Sequence, residues 1–212
     1  MSAAMSTNLR TLLADVLVIP VIVIDDIAHA VPLARALHAG ELDVLEVTLR
    51  TPAALPAIAA IASEVPEAKV GAGTVLTPDD ARRAADAGAC FVVSPGYTDE
   101  LDAACRDLGL PWLPGIATAS DAMRLLSRGY DFAKFFPAAA AGGVAMLRAL
   151  AGPFPGLSFC PTGGIDAANA ADFLALPNVP CVGGSWVVPR EAVHAGRWEE
   201  ITALARSASL LR

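Results

Sequence analysis

The feature that most constrains this chain is a repeated beat. Short apolar runs, many of them β-branched, begin near Val16, Val44, Lys69, Phe91, Trp112, Phe132, Ser158 and Cys181, and an Ala/Leu-rich stretch with helical spacing follows each one. Successive runs start 20 to 28 residues apart. That length accommodates a strand, a short loop, a helix of about ten residues and a return loop. Strands joined through helices lie parallel. Eight such units predict an α/β fold, a (β/α)8 TIM barrel, with a doubly wound open sheet as the competing arrangement. At 212 residues the chain is near the lower end of that barrel's range, so one domain spanning residues 1–212 with few insertions is expected. Ser6 to Asp15 reads as a short helix ahead of the first strand, capping the barrel bottom.

Local signals support this division. Thr77 precedes Pro78 and the Asp79–Asp80 pair, which predicts an N-cap, a proline in the first helical position and acids in the first turn. Gly40, Gly88, Gly109 and Gly129 each close a helical stretch, where a left-handed C-cap is least costly in glycine. The longest apolar run, Val16 to Ile24, is nine residues, far short of the roughly 20 that span a bilayer. Only Arg10 is basic before it, so neither a membrane span nor a signal peptide is expected, and the location expected is cytoplasmic. A net charge of -7 opposes nucleic acid or an anionic membrane as partner. Cys90, Cys105, Cys160 and Cys181 form no CxxC pair and read as free thiols. His29, His38 and His194 show no metal spacing.

Active sites of such barrels lie at the carboxyl ends of the strands, so polar residues late in the apolar runs carry the functional information. Lys134 interrupts the run FAKFFP. An apolar surrounding disfavours an ammonium ion, and a neutral amine attacks carbonyl carbon, so Lys134 is the candidate for a Schiff base. In VLEVTLR, the residues Glu46, Thr48 and Arg50 alternate with Leu45, Val47 and Leu49 and are expected on one face. Phe132 and Phe136 are expected on the face that carries Lys134, while Gly71 and Gly73 allow close backbone approach and Thr74 sits at the strand's mouth. After the seventh and eighth runs come Gly163–Gly164 and Gly183–Gly184. Loops at those two positions are the usual phosphate site of these barrels. The GAGTV run lacks the full GxGxxG fingerprint, which argues against a dinucleotide.

Together these stretches give the chain a nearly full-length resemblance to the family of 2-keto-3-deoxy-6-phosphogluconate (KDPG) and 4-hydroxy-2-oxoglutarate aldolases. Matching segments include VPLARAL, EVTLRTPAAL, VGAGTVL, SPG, PGIAT, FAKFFPA, AGPFPGLSFCPTGGI and VGGSWVVP. The resemblance implies a class I lyase in which Lys134 forms the imine and Glu46 is the general acid/base. Arg50, Thr74, Pro95, Phe136 and Thr162 would contact the substrate, and Gly163, Gly164, Gly184 and Ser185 would hold a phosphate. No metal or organic cofactor would be needed beyond the covalent lysine imine. The partner would be a small 2-keto acid phosphate, and the assembly a homotrimer. The loop PAAAAGG (Pro137 to Gly143) and Ala117 in PGIAT are plainer than the family pattern, which bears on substrate stereochemistry. Competing readings are a galactonate-series aldolase, or a phosphosugar isomerase or epimerase with Glu46 as proton shuttle and Lys134 as an electrostatic clamp. A non-enzymatic phospholigand-binding module is a third.

Overall fold

The computed structural model describes residues 9–211. The strands are β1 (Val18–Ile22), β2 (Val44–Thr48), β3 (Lys69–Gly73), β4 (Val92–Val93), β5 (Trp112–Leu113), β6 (Gly115–Ile116), β7 (Phe132–Phe135), β8 (Ser158–Pro161) and β9 (Val182–Gly184). Every pairing among them is parallel. Each apolar run found in the sequence starts within two residues of an observed strand, because burial on both faces of a parallel sheet demands continuous apolar runs.

The sheet differs from the expected ring of eight strands. Hydrogen bonding yields a six-stranded sheet in the order β5-β4-β3-β2-β1-β9 and a three-stranded sheet in the order β6-β7-β8. Proline explains one seam. Pro114 has no N–H to donate and splits the fifth run, so Trp112 and Leu113 pair with β4 while Gly115 and Ile116 pair with β7. The Pro114 carbonyl still accepts from Lys134 N at 2.8 Å. At the other seam, between β8 and β9, a parallel bridge joins Thr162 to Gly183.

Alternation along the strands sorts their apolar side chains into two bodies. One packs the strands against the surrounding helices. The other gathers Leu9, Leu13, Ile19, Val44, Phe91, Val93, Leu113, Phe132, Cys160 and Cys181. Val44 and Phe132 open their strands, so Leu9 and Leu13 close this second body at the amino ends. Residues 9–12 are helical, while 13–15 form a turn in which Asp15 has a φ of 64°, so the helix stops short of the expected Asp15; residues 6–8 of the expected Ser6–Asp15 helix lie outside the described residues. Arg10 ties the segment down through Nε to Asp131 Oδ2 and Nη2 to the Asp131 carbonyl, both 2.8 Å.

Helix ends follow the sequence signals with one correction. Thr77 and Asp80 form a reciprocal capping box around Pro78, and Gly88, Gly109 and Gly129 adopt left-handed backbone. Gly40 does not: its φ is -96°, and the left-handed residue is Glu41 at 67°. Gly40 is required for a different reason, since a Cβ there would collide with Ala205 of the helix Trp198–Ser209. All four cysteines are free thiols, with Cys90 half-buried and the others buried. Burial pushes the Cys105 thiol up to about 12. Among the described residues, no helix is long and apolar enough to cross a membrane.

Candidate active site

Lys134 on β7 and Glu46 on β2 meet across the interior, with Nζ 3.1 Å from Oε1. Their relative exposures are 5% and 2%. Neighbouring glycines create the space for this pair. A Cβ on Gly73 would collide with the Glu46 carboxyl group, and one on Gly71, the register partner of Glu46, would run into the Phe91 ring. The glycines of β3 therefore serve as room for a carboxylate and an aromatic ring. Lys134 Nζ also lies 5.4 Å from the centroid of the Phe136 ring, within the range of cation–π contacts.

Arg50 departs from the expected arrangement. Strand β2 ends at Thr48, whose Oγ1 donates to the Ile22 carbonyl at 2.8 Å, and the next residues turn. Arg50 N–H closes a tight turn onto Thr48 O at 2.8 Å, so strand alternation no longer aims its side chain. The guanidinium is exposed, and Nε donates to Thr74 Oγ1 at 3.1 Å instead of joining an interior cluster with Glu46. Thr74 has a φ of 59°. A β-branched residue in left-handed backbone is strained by roughly 1–3 kcal/mol, and such outliers gather at functional sites.

Beside this group opens a cleft of about 370 Å³. Of the candidate residues, Arg50, Phe136, Thr162, Gly163, Gly164, Gly184 and Ser185 line it. Lys134 and Glu46 are buried and do not line it; the link between the pair and the cleft is Phe136, which lines the cleft and approaches Lys134 Nζ. Gly163 and Gly164 have φ of 99° and 74°, so a side chain at either would be strained. The plain loop after β7 docks on them: Ala138 N donates to Thr162 O at 2.8 Å and Ala139 N to Gly163 O at 3.0 Å. Its alanines have a packing reason, because a Cβ on Gly164 would already stand 2.6 Å from Ala139 Cβ. Pro95 does not reach the cleft. Its backbone packs against Gly115, the register partner of Lys134.

Two basic residues at the cleft have no site role in the sequence reading. Arg190 and His194 line it, and both reach Asp25, Arg190 through Nη2 at 2.6 Å and His194 through Nε2 at 3.0 Å. Hydrogen bonds from Arg190 and then His194 hold the Asp25 carboxyl below the usual carboxylate range. The eighth strand-end segment, VGGSWVVP, ends at Pro189, one residue before Arg190. Among the described residues, no group of three or more His, Cys, Asp or Glu side chains could hold a metal ion.

A buried amine–carboxylate pair beside a glycine-lined cleft on a parallel α/β scaffold is an arrangement that lysine-imine chemistry can use. The model of the KDPG and KHG aldolase family matches residues 9–204, and the chain belongs to that family. It is 53% identical over 191 residues to the 2-dehydro-3-deoxy-phosphogluconate aldolase of Pseudoalteromonas atlantica, covering 90% of this chain and 89% of that one. It is 52% identical over 202 residues to the KHG/KDPG aldolase of Escherichia coli K12, covering 95% of each. Among solved structures it resembles the KDPG aldolase of Legionella pneumophila, crystallised with pyruvate captured at low pH as a covalent carbinolamine intermediate. The TM-score is 0.90 at 48% identity, with 98% of both chains covered.

Proposed function

We propose that this chain is a class I aldolase that cleaves KDPG to pyruvate and glyceraldehyde 3-phosphate, with 4-hydroxy-2-oxoglutarate, giving pyruvate and glyoxylate, as a second substrate. The observation that carries this reading is the buried Lys134–Glu46 contact of 3.1 Å beside the cleft. The family relationship supports it, as does the covalent pyruvate intermediate described for the Legionella relative.

In this mechanism Glu46 takes a proton from Lys134, and the free amine adds to the C2 ketone to give a carbinolamine. Glu46 then gives that proton to the carbinolamine hydroxyl, and loss of water leaves a protonated imine beside an ionised Glu46. Glu46 then removes the C4 hydroxyl proton, the C3–C4 bond breaks, and its electron pair flows into the imine to form an enamine. Glyceraldehyde 3-phosphate departs. The same carboxyl group returns its proton to C3, and water hydrolyses the imine to pyruvate and free lysine. Arg50, oriented by Thr74, pairs with the C1 carboxylate. Phe136 and Thr162 wall the chain of the substrate, and Pro95 acts indirectly by fixing Gly115 beside Lys134. Backbone N–H groups of Gly163, Gly164 and Gly184, with Ser185, receive the phosphate.

The closed (β/α)8 barrel belongs to the same reading. It is supported by the Pro114 carbonyl accepting from Lys134 at one seam and by the Thr162–Gly183 bridge at the other. A single aldolase domain fits a family match that runs nearly end to end. A homotrimer would cover exposed apolar side chains such as Leu76 at 56% and Met123 at 64%. Four unpaired thiols fit a cytoplasmic location.

The test is pyruvate release from the gluconate- and galactonate-series 6-phosphates and from their unphosphorylated forms, run side by side. Faster cleavage of the phosphorylated gluconate-series acid is the expected result. Equal rates with and without phosphate would remove the phosphate assignment, and a preference for the galactonate series would reassign the substrate.

A further inference from the structure

The mouth of the cleft carries charges that the mechanism above does not use. Arg190 and His194 stand one turn apart on the short helix Arg190–His194 and line the same cleft as the glycine loops. Both bond Asp25, which lies 165 and 169 residues earlier in the loop after β1. His29 stacks on His194 with ring centroids 6.1 Å apart, and Trp198 backs His29 at 6.0 Å. The imidazole is therefore buttressed from behind, while the Arg190 side chain is 66% exposed.

We propose that Arg190 and His194 form a rim, the guanidinium supplying its charge and the imidazole a ring nitrogen, that engages the distal phosphate of the substrate, exchanging Asp25 for it, and that this rim sets the preference for phosphorylated over unphosphorylated sugar acids. The proposal rests on the reading of the glycine loops as the phosphate end of the cleft. Arg50, Arg190 and His194 are the basic residues among those lining the cleft, and Arg50 is engaged with Thr74 at the carboxylate end. The glycine loops offer neutral N–H dipoles, so the formal positive charge for a phosphate comes from the rim.

The exchange is physically easy. An ion pair exposed to water contributes little and is screened by salt, so Arg190 leaves Asp25 at small cost. A phosphate has about twice the charge of a carboxylate and three acceptor oxygens, and it takes a guanidinium in bidentate fashion. Asp25, kept ionised by its two partners, holds the rim at the mouth of the cleft and competes with the incoming anion.

The experiment measures kcat and KM for KDPG and for the same sugar acid without its phosphate, in the parent enzyme and in Arg190→Ala, Arg190→Lys and Asp25→Asn. Losing one charge-assisted contact should raise KM for KDPG about tenfold in Arg190→Ala, with the loss in KM and not in kcat. The ratio of kcat/KM values, phosphorylated over unphosphorylated, should fall by the same factor. Arg190→Lys should recover part of it, because a point charge replaces the planar fork. Removing the competing carboxylate in Asp25→Asn should lower KM for KDPG roughly two- to threefold. An unchanged ratio in Arg190→Ala, or an equal loss on both substrates, overturns the rim while leaving the glycine-loop assignment intact. A parent enzyme indifferent to phosphate overturns that assignment, and the rim with it.

Discussion

Two groups of charges in this molecule hold partners at similar distances in opposite surroundings. Lys134 and Glu46 are 3.1 Å apart and almost wholly buried; Asp25 and Arg190 are 2.6 Å apart at the open mouth of the cleft. The shorter contact is the weaker one. Water competes for every partner at the mouth, whereas inside the sheet neither charge has a solvent alternative, so each depends on the other. The interior pair is suited to chemistry because its proton can move without water as competitor, and the mouth is suited to exchanging one anion for another.

The largest expected effect breaks the interior pair chemically. Lys134→Arg keeps a cation but cannot form an imine, so cleavage should fall on the order of 10³-fold or more in a steady-state pyruvate assay. A clamp-type isomerase would retain much of its activity. Next comes stability: Lys134→Met strands Glu46 in the interior and should cost about 3–5 kcal/mol in urea denaturation. The double variant Lys134→Met/Glu46→Leu should recover most of that loss and remain inactive. Gly73→Ala probes the pair without touching it. Its Cβ displaces the Glu46 carboxyl group, so kcat should fall about 10²-fold while overpacking costs about 1–3 kcal/mol.

The mouth should respond least. Asp25 has a depressed folded-state pKa, so its contribution is present above the unfolded value of 3.8 and disappears as the pH falls through the lowered value. Asp25→Asn should therefore be slightly less stable than the parent at pH 7, and the two unfolding curves should converge on acidification below pH 3.8. A gap that widens in acid would contradict the assignment of Arg190 and His194 as the partners of Asp25.

Much of this architecture is legible in the sequence, for a physical reason. Buried parallel strands must be apolar throughout, so the starts of the runs mark the strands, and a lysine inside one of them stands out. Pro114 was visible as well, yet its effect on the ring depends on where the neighbouring strands lie, which no local pattern carries. Arg50 shows the limit of alternation: two-residue periodicity holds to Thr48 and ends with the strand. Gly40 looked like a left-handed cap and proved to be a contact with Ala205, 165 residues away. The Asp25–Arg190–His194 group was invisible because its members span most of the chain and none sits in an apolar run.

The most direct test of the central claim is reductive trapping. The chain has two lysines, Lys69 and Lys134, and Lys69 is exposed at the amino end of β3, so it serves as an internal control. Incubation with pyruvate and borohydride followed by peptide mass mapping should place one irreversible adduct on Lys134, with loss of activity and Lys69 unmodified. An enzyme that still cleaves its substrate with Lys134 unmodified, or that loses activity through an adduct on Lys69 alone, would contradict the account.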